Sequence, residues 1–114
     1  MSLQFKQTNE ESPDLGALLL RQAGMSAGEW RSSSDAAQVL ACYLRCHPRV
    51  QEVRYPGLTC DPMYREASST LRGGFGPKVL AHLSNGNWYS FDVDEKTPAY
   101  DLVLEAEELL ATLF

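Results

Sequence analysis

What is missing from these 114 residues narrows the field first. No apolar run approaches the ~20 residues that a membrane-spanning helix needs, so no membrane partner is expected. The opening stretch, MSLQFKQTNEESPD, is polar and lacks the apolar centre of a secretory signal. Basic residues are scarce: ten lysines and arginines stand against fifteen acids, for a net charge of −5. Nucleic acid selects basic faces, so no nucleic-acid partner is expected either. Cysteine occurs three times, an odd count at irregular spacing, which argues against a disulfide framework. Reduced thiols in a cytoplasmic protein are the expectation. No internal repeat, low-complexity tract or long linker interrupts the chain.

What is present suits one domain of ordinary size, with 44% hydrophobic residues to build a modest core. Residues 1–12 read as a flexible leader and 13–114 as a single domain. Ser12-Pro13-Asp14 starts a short helix carrying Leu15, Leu18, Leu19 and Leu20 to about Ala23. Ser26 and Glu29 have capping-box spacing for a second helix, with Ser33 or Ser34 as alternative N-caps. Along it Ala36, Val39, Leu40, Tyr43 and Leu44 fall at helical spacing and predict one buried stripe. His47-Pro48 ends it, because the residue before proline avoids the α region.

The stretch from Val50 to Gly76 organises the rest. Val50–Tyr55 alternates like a half-buried strand, and Pro56-Gly57 stops it. Asp61-Pro62 predicts a helix over about 62–71, closed by Gly73-Gly74. Pro77–Ser84 and Trp88–Val93 read as strands joined by Asn85-Gly86, whose tolerance of positive φ marks a hairpin. Thr97-Pro98 opens a last helix to about Thr112, with Tyr100, Val103, Leu104, Leu109, Leu110 and Leu113 as its apolar positions. Its glutamates, Glu105, Glu107 and Glu108, sit at the unfavourable end of the helix dipole. The pattern predicts a two-layer α+β domain with a small antiparallel sheet and helices on one face.

Several groupings bear on chemistry. Cys42, Cys46 and His47 share a helix turn, with Cys60 or His82 as a fourth soft ligand, but C-x3-C-H is not a standard zinc spacing. The simpler reading is small buried residues. Cys60 with His82 as base lacks an identifiable orienting group, so a loop thiol is the simpler reading. Gly73–Gly76 precedes a strand rather than a helix, so it reads as a tight turn and not a phosphate loop. Arg45, Arg49 and Arg54 form a basic cluster that solvent, an acidic partner or Glu52 would neutralise. Trp88, Tyr89 and Phe91 remain. Alternation sends Trp88 and Ser90 to one face and Tyr89 and Phe91 to the other. Core and interface are equally weighted for them, and a partner surface or ligand platform is the functional reading.

Leu18-Leu-Leu-Arg21, Ala36-Ala37, His47-Pro48, Val53-Arg-Tyr-Pro-Gly-Leu58 and Gly74-Phe-Gly76 stand in an order and spacing that resembles a known family. These are the pyridoxal-phosphate enzymes of cysteine and methionine metabolism: cystathionine γ-synthase, cystathionine γ-lyase and their relatives. The run from Asp61 to Gly76 is most similar to the O-acetylhomoserine sulfhydrylase branch. The resemblance covers about residues 15–84 and implies the small C-terminal domain of such an enzyme. A full family member is several times longer. Its cofactor-stacking aromatic, its acid for the pyridine nitrogen and its Schiff-base lysine segment have no counterpart here. Lys6, Lys78 and Lys96 are the only lysines, and none has that context. No catalytic, cofactor-binding or metal residue is therefore expected in this chain, and no pyridoxal phosphate bound by it alone. The expected role is an inactive interaction or assembly module that self-associates as a homo-oligomer. The alternatives are a subunit completing a separately encoded, cofactor-binding large domain, and a small-molecule binding module built on the aromatic hairpin.

Overall fold

The computed structural model describes residues 3–114; Met1 and Ser2, the start of the expected leader, lie outside the described residues. Four strands, β1 (Gln4–Thr8), β2 (Val50–Arg54), β3 (Lys78–Leu83) and β4 (Trp88–Asp92), form one antiparallel sheet in the order β1-β4-β3-β2. Four helices complete the domain: α1 (Leu15–Ala23), α2 (Ala27–Arg45), α3 (Tyr64–Thr70) and α4 (Ala99–Leu113). The two-layer α+β expectation holds, with α2 and α4 on one face of the sheet, but α1 lies over part of the other face, so the helices do not all share one side.

Helix α2 starts where its capping box puts it. Ser26 Oγ accepts from the Glu29 amide at 3.1 Å, and Glu29 Oε1 accepts from the Ser26 amide at 3.0 Å. These bonds satisfy two of the helix's orphan donors. They also hold the Glu29 carboxyl below its ordinary range. Ser33 and Ser34, the alternative caps, are instead buried inside the helix. Ser33 Oγ donates to the Trp30 carbonyl at 3.2 Å.

Period-two alternation sorts the sheet into two faces. On the inner face, Val79, Ala81, Leu83, Tyr89 and Phe91 are buried against Ala37, Leu40, Ala41 and Leu44 of α2 and Leu102, Ala106 and Leu110 of α4. Phe5 of β1 stacks on Tyr89, ring centres 5.0 Å apart. Each fully buried leucine or phenylalanine contributes roughly 1.5–3 kcal/mol, so this layer is the main source of stability. The strand β1 replaces part of the leader expected over 1–12. Its two glutamines and lysine carry little strand propensity, and pairing with β4 from Gln4↔Asp92 to Thr8↔Trp88 fixes it.

The buried arc of α2 is rotated from the stripe predicted for it. Leu40 and Leu44 are buried and Tyr43 is half-buried, but Val39 is exposed. Ala37 and Ala41 occupy the contact instead, letting the helix sit close to the sheet. On α4, Tyr100 and Leu104 point away from the core, and Leu102 and Ala106 take the inner positions. One of its late glutamates has a use: Glu105 Oε1 accepts from the Leu3 amide at 3.3 Å, beside the edge strand.

A second, smaller cluster holds Leu18, Trp30, Ala67 and Leu71, with Phe75 packed against it. It joins the turn at Gly73–Gly76 to α2. Trp30 Nε1 donates to the Gly74 carbonyl at 3.1 Å, and the Gly76 amide donates to Ser34 Oγ at 3.0 Å. Glycine is required at Gly76, where φ is +101° and a Cβ would lie 2.9 Å from Leu18 Cδ2.

Asp61 ties the opposite end. Its carboxylate, sealed from solvent, accepts from Arg54 Nε at 3.0 Å, the Tyr55 amide at 3.0 Å and the Met63 amide at 2.8 Å. It therefore caps a turn rather than a helix, and α3 begins at Tyr64, two residues after the predicted Pro62.

Candidate functional site

The outer face of the sheet carries the chemistry that the fold leaves open. The strand register arranges it in three rows. Thr8, Trp88, His82 and Glu52 form one row; Lys6, Ser90, Leu80 and Arg54 the next; Gln4, Asp92 and Lys78 the third. The helical layer of α2 and α4 lies on the other side. Helix α1 and the segment leading into it reach over one end of this outer face. Arg21 Nη1 meets Asp92 Oδ1 at 2.5 Å, and Lys78 Nζ meets Glu10 Oε1 at 2.7 Å. Arg54 Nη1 donates to the Glu11 carbonyl at 3.3 Å. This cover explains why Leu80 is buried although it faces away from the main core.

Helix α1 holds its place over the sheet through its N-cap and its apolar side. Asp14 Oδ1 accepts from the Ala17 amide at 3.1 Å, and Leu18 enters the Trp30 cluster. Between α1 and the sheet lies a cleft of about 160 Å³, floored by Leu80 and Leu18 and rimmed by Glu10, Asp14, Arg21 and Lys78. Arg21 also borders a second groove, lined by Gln4, Phe5, Lys6, Ser90 and Asp92. Its guanidinium therefore stands between the two.

Of the predicted aromatic surface, only Trp88 is on the outer face. It is half-buried and stacks on His82, ring centres 5.0 Å apart and planes within 11°. Tyr89 and Phe91 are core residues under α2 and α4, so they form no surface. The reason is the alternation itself: the helical layer covers the face they share. Asn85 Nδ2 donates to the Tyr89 hydroxyl at 3.0 Å, which satisfies the polar end of that buried ring.

The sulfur groupings do not assemble. Cys42, Cys46 and Cys60 are all exposed, so Cys42 and Cys46 are not the small buried residues expected. Among the described residues no three His, Cys, Asp or Glu side chains gather to hold a metal ion. His47 Nδ1 accepts from the Arg49 amide at 3.0 Å. Cys60 borders a groove with Arg45, Glu52 and Asp61, whereas His82 is engaged with Trp88. The arginines also separate: Arg54 pairs with Asp61 rather than Glu52, and Arg49 lies 5.0 Å from the centre of the Phe114 ring. The Gly73–Gly76 run is a turn, its last amide already bonded to Ser34.

Sequence reading missed the grouping of Lys6, Arg21, Ser90 and Asp92. They come from β1, α1 and β4, far apart in the chain, and only the alternation along β4 hinted that Ser90 shares a face with Trp88.

No known family's sequence profile matches the chain. Among solved structures it is similar to an O-acetylhomoserine (thiol)-lyase from Campylobacter jejuni subsp. jejuni that carries N'-pyridoxyl-lysine-5'-monophosphate. The TM-score is 0.62 at 10% sequence identity, over 70% of this chain and 28% of that one. The chain thus shares its fold with one part of a pyridoxal-phosphate enzyme and spans about a quarter of that enzyme's length.

Proposed function

We propose that this chain is a counterpart of the small domain of the pyridoxal-phosphate enzymes of sulfur-amino-acid metabolism, and that it works by assembly rather than catalysis. The observation that supports this reading is the likeness to one part of such an enzyme. The residues that carry the sequence resemblance add to it. Val53–Leu58 and Gly74–Gly76 are the segments that Asp61, Ser34 and Trp30 pin in place.

The chain's own groups do not fit the cofactor. Schiff-base catalysis needs an amine positioned inside a site, with a cradle for the phosphate beside it. Lys78 is tied to Glu10. Lys96 lies in an exposed loop, and Lys6 sits on an exposed edge strand. The glycine turn leads into a strand and presents no helix N-terminus to a phosphate. No catalytic step is therefore assigned to this chain.

The partner in this reading is a second copy. Exposed apolar side chains on the helical layer, Val39, Tyr100 and Leu104, offer area that association would cover. A second reading, a subunit that joins a separately made cofactor-binding domain, rests on the same likeness. Mixing the purified chain with pyridoxal phosphate tests the catalytic half: no new visible absorbance band and no keto acid released from sulfur amino acids are expected. A yellow complex that turns over would overturn it. A pull-down that recovers a cofactor-binding domain favours the second reading; recovery of self alone favours the first.

A further inference from the structure

Ser90 is the one described residue whose buried side-chain polar atom lacks a hydrogen-bond partner. Only 1% of the residue is exposed. An orphaned hydroxyl in a strand centre is costly, and native structures rarely keep one without a reason. Ser90 lines the groove that also contains Lys6, Arg21, Asp92 and Gln4, about 320 Å³ in volume.

The charges around it are unbalanced. Asp92 engages a single nitrogen of Arg21, which leaves further guanidinium N–H groups to donate. Lys6 lies directly across the register from Ser90 and has no ion-pair partner among the described residues. Two cations against one carboxylate leave a net single positive charge beside a hydroxyl with a proton to give. A planar guanidinium fork matches a carboxylate in shape, and charge-assisted bonds from Arg and Lys are the strong kind.

We propose that this groove, made by Lys6, Arg21 and Ser90 on the outer face of the sheet, binds a small carboxylate monoanion. The Ser90 hydroxyl and Arg21 donate to the carboxylate oxygens, and Lys6 closes the site from the edge strand. Asp92 holds the guanidinium in place and, being negative, disfavours a dianion such as phosphate. The site does not depend on the assembly reading given above; it stands whether or not the chain pairs with itself.

The test is a titration of the full chain with acetate at constant ionic strength, followed by backbone amide shifts. Saturable shifts confined to the amides of residues 4–6, 20–22 and 89–92 are expected. Ser90→Ala and Lys6→Gln should each weaken acetate about tenfold, the scale for losing a charge-assisted bond. Both keep the fold, since one removes an orphaned hydroxyl and the other alters an exposed side chain. Inorganic phosphate at the same ionic strength should produce no saturable shift. Linear acetate shifts, equal affinity in the Ser90→Ala chain, or phosphate binding as tight as acetate would each overturn the assignment.

Discussion

The Tyr55 hydroxyl donates to the Gly76 carbonyl at 2.7 Å, and the Ser34 carbonyl lies 3.2 Å from the same oxygen. One phenol thus joins the end of β2, the glycine turn before β3 and the middle of α2. Burial, with the Asp35 charge assisting, pushes this phenol well above its ordinary value. It therefore stays protonated, and a donor, wherever the protein is studied near neutrality.

Replacing Tyr55 by Phe leaves the buried Gly76 carbonyl without this donor, and the cost should be about 1–3 kcal/mol. A urea midpoint measured at neutral pH reads it. The alkaline limb gives a second reading. Because the folded value is raised, the stability from the neutral phenol is full below pH 10.0, the unfolded value, and is lost as pH rises through the folded one. Tyr55→Phe should flatten the loss of stability above pH 10 relative to the parent chain. An equal alkaline slope in both would rule out this role.

Gly76 and Gly86 both have positive φ, +101° and +89°, but their surroundings differ. A Cβ at Gly76 would press on Leu18 and Trp30, whereas at Gly86 it meets open space. Alanine at Gly86 should cost only backbone strain, of order 1 kcal/mol. Alanine at Gly76 adds overpacking, a further ~1–3 kcal/mol. Thermal melts of the two variants side by side decide it, and equal losses would show that the turn does not press on α2 as described.

Asp94 organises the entry to α4. Its Oδ1 accepts from the Lys96 amide at 2.9 Å and the Thr97 amide at 2.6 Å, and its Oδ2 accepts from Thr97 Oγ1 at 2.9 Å. Partial burial raises its carboxyl, but these bonds and the Lys96 charge outweigh that and leave it below 3.8, its ordinary value. A depressed folded value means stability that is present above pH 3.8 and lost as pH falls through the folded one. Asp94→Asn removes the titration, so its stability gap to the parent should narrow as pH drops below 4. A gap independent of pH would contradict the assignment.

Much of the fold could be read in advance because its signals are local. The Ser26 box, the Asn85-Gly86 hairpin and the stop at His47-Pro48 each rest on a few neighbouring residues, and each stands. The misses have non-local causes. Gln4–Thr8 is a strand only because β4 offers an edge. Val39 is exposed because two alanines, not the valine, meet the sheet. Asp61 caps no helix because Arg54 and the Tyr55 amide claim its oxygens first. The candidate site was the least legible part. Alternation pairs Trp88 with Ser90 and Tyr89 with Phe91, as the structure does, but it does not say which pair the helices cover, and Tyr89 and Phe91 are core. The cluster around Ser90 has no sequence signature, since three separate elements supply it.

Association is the claim that most of the functional reading depends on. Light scattering of the purified 114-residue chain across a concentration series measures it directly. The expected particle has twice the 12.7 kDa mass of one chain. A mass of one chain that persists at the highest concentration would contradict the account.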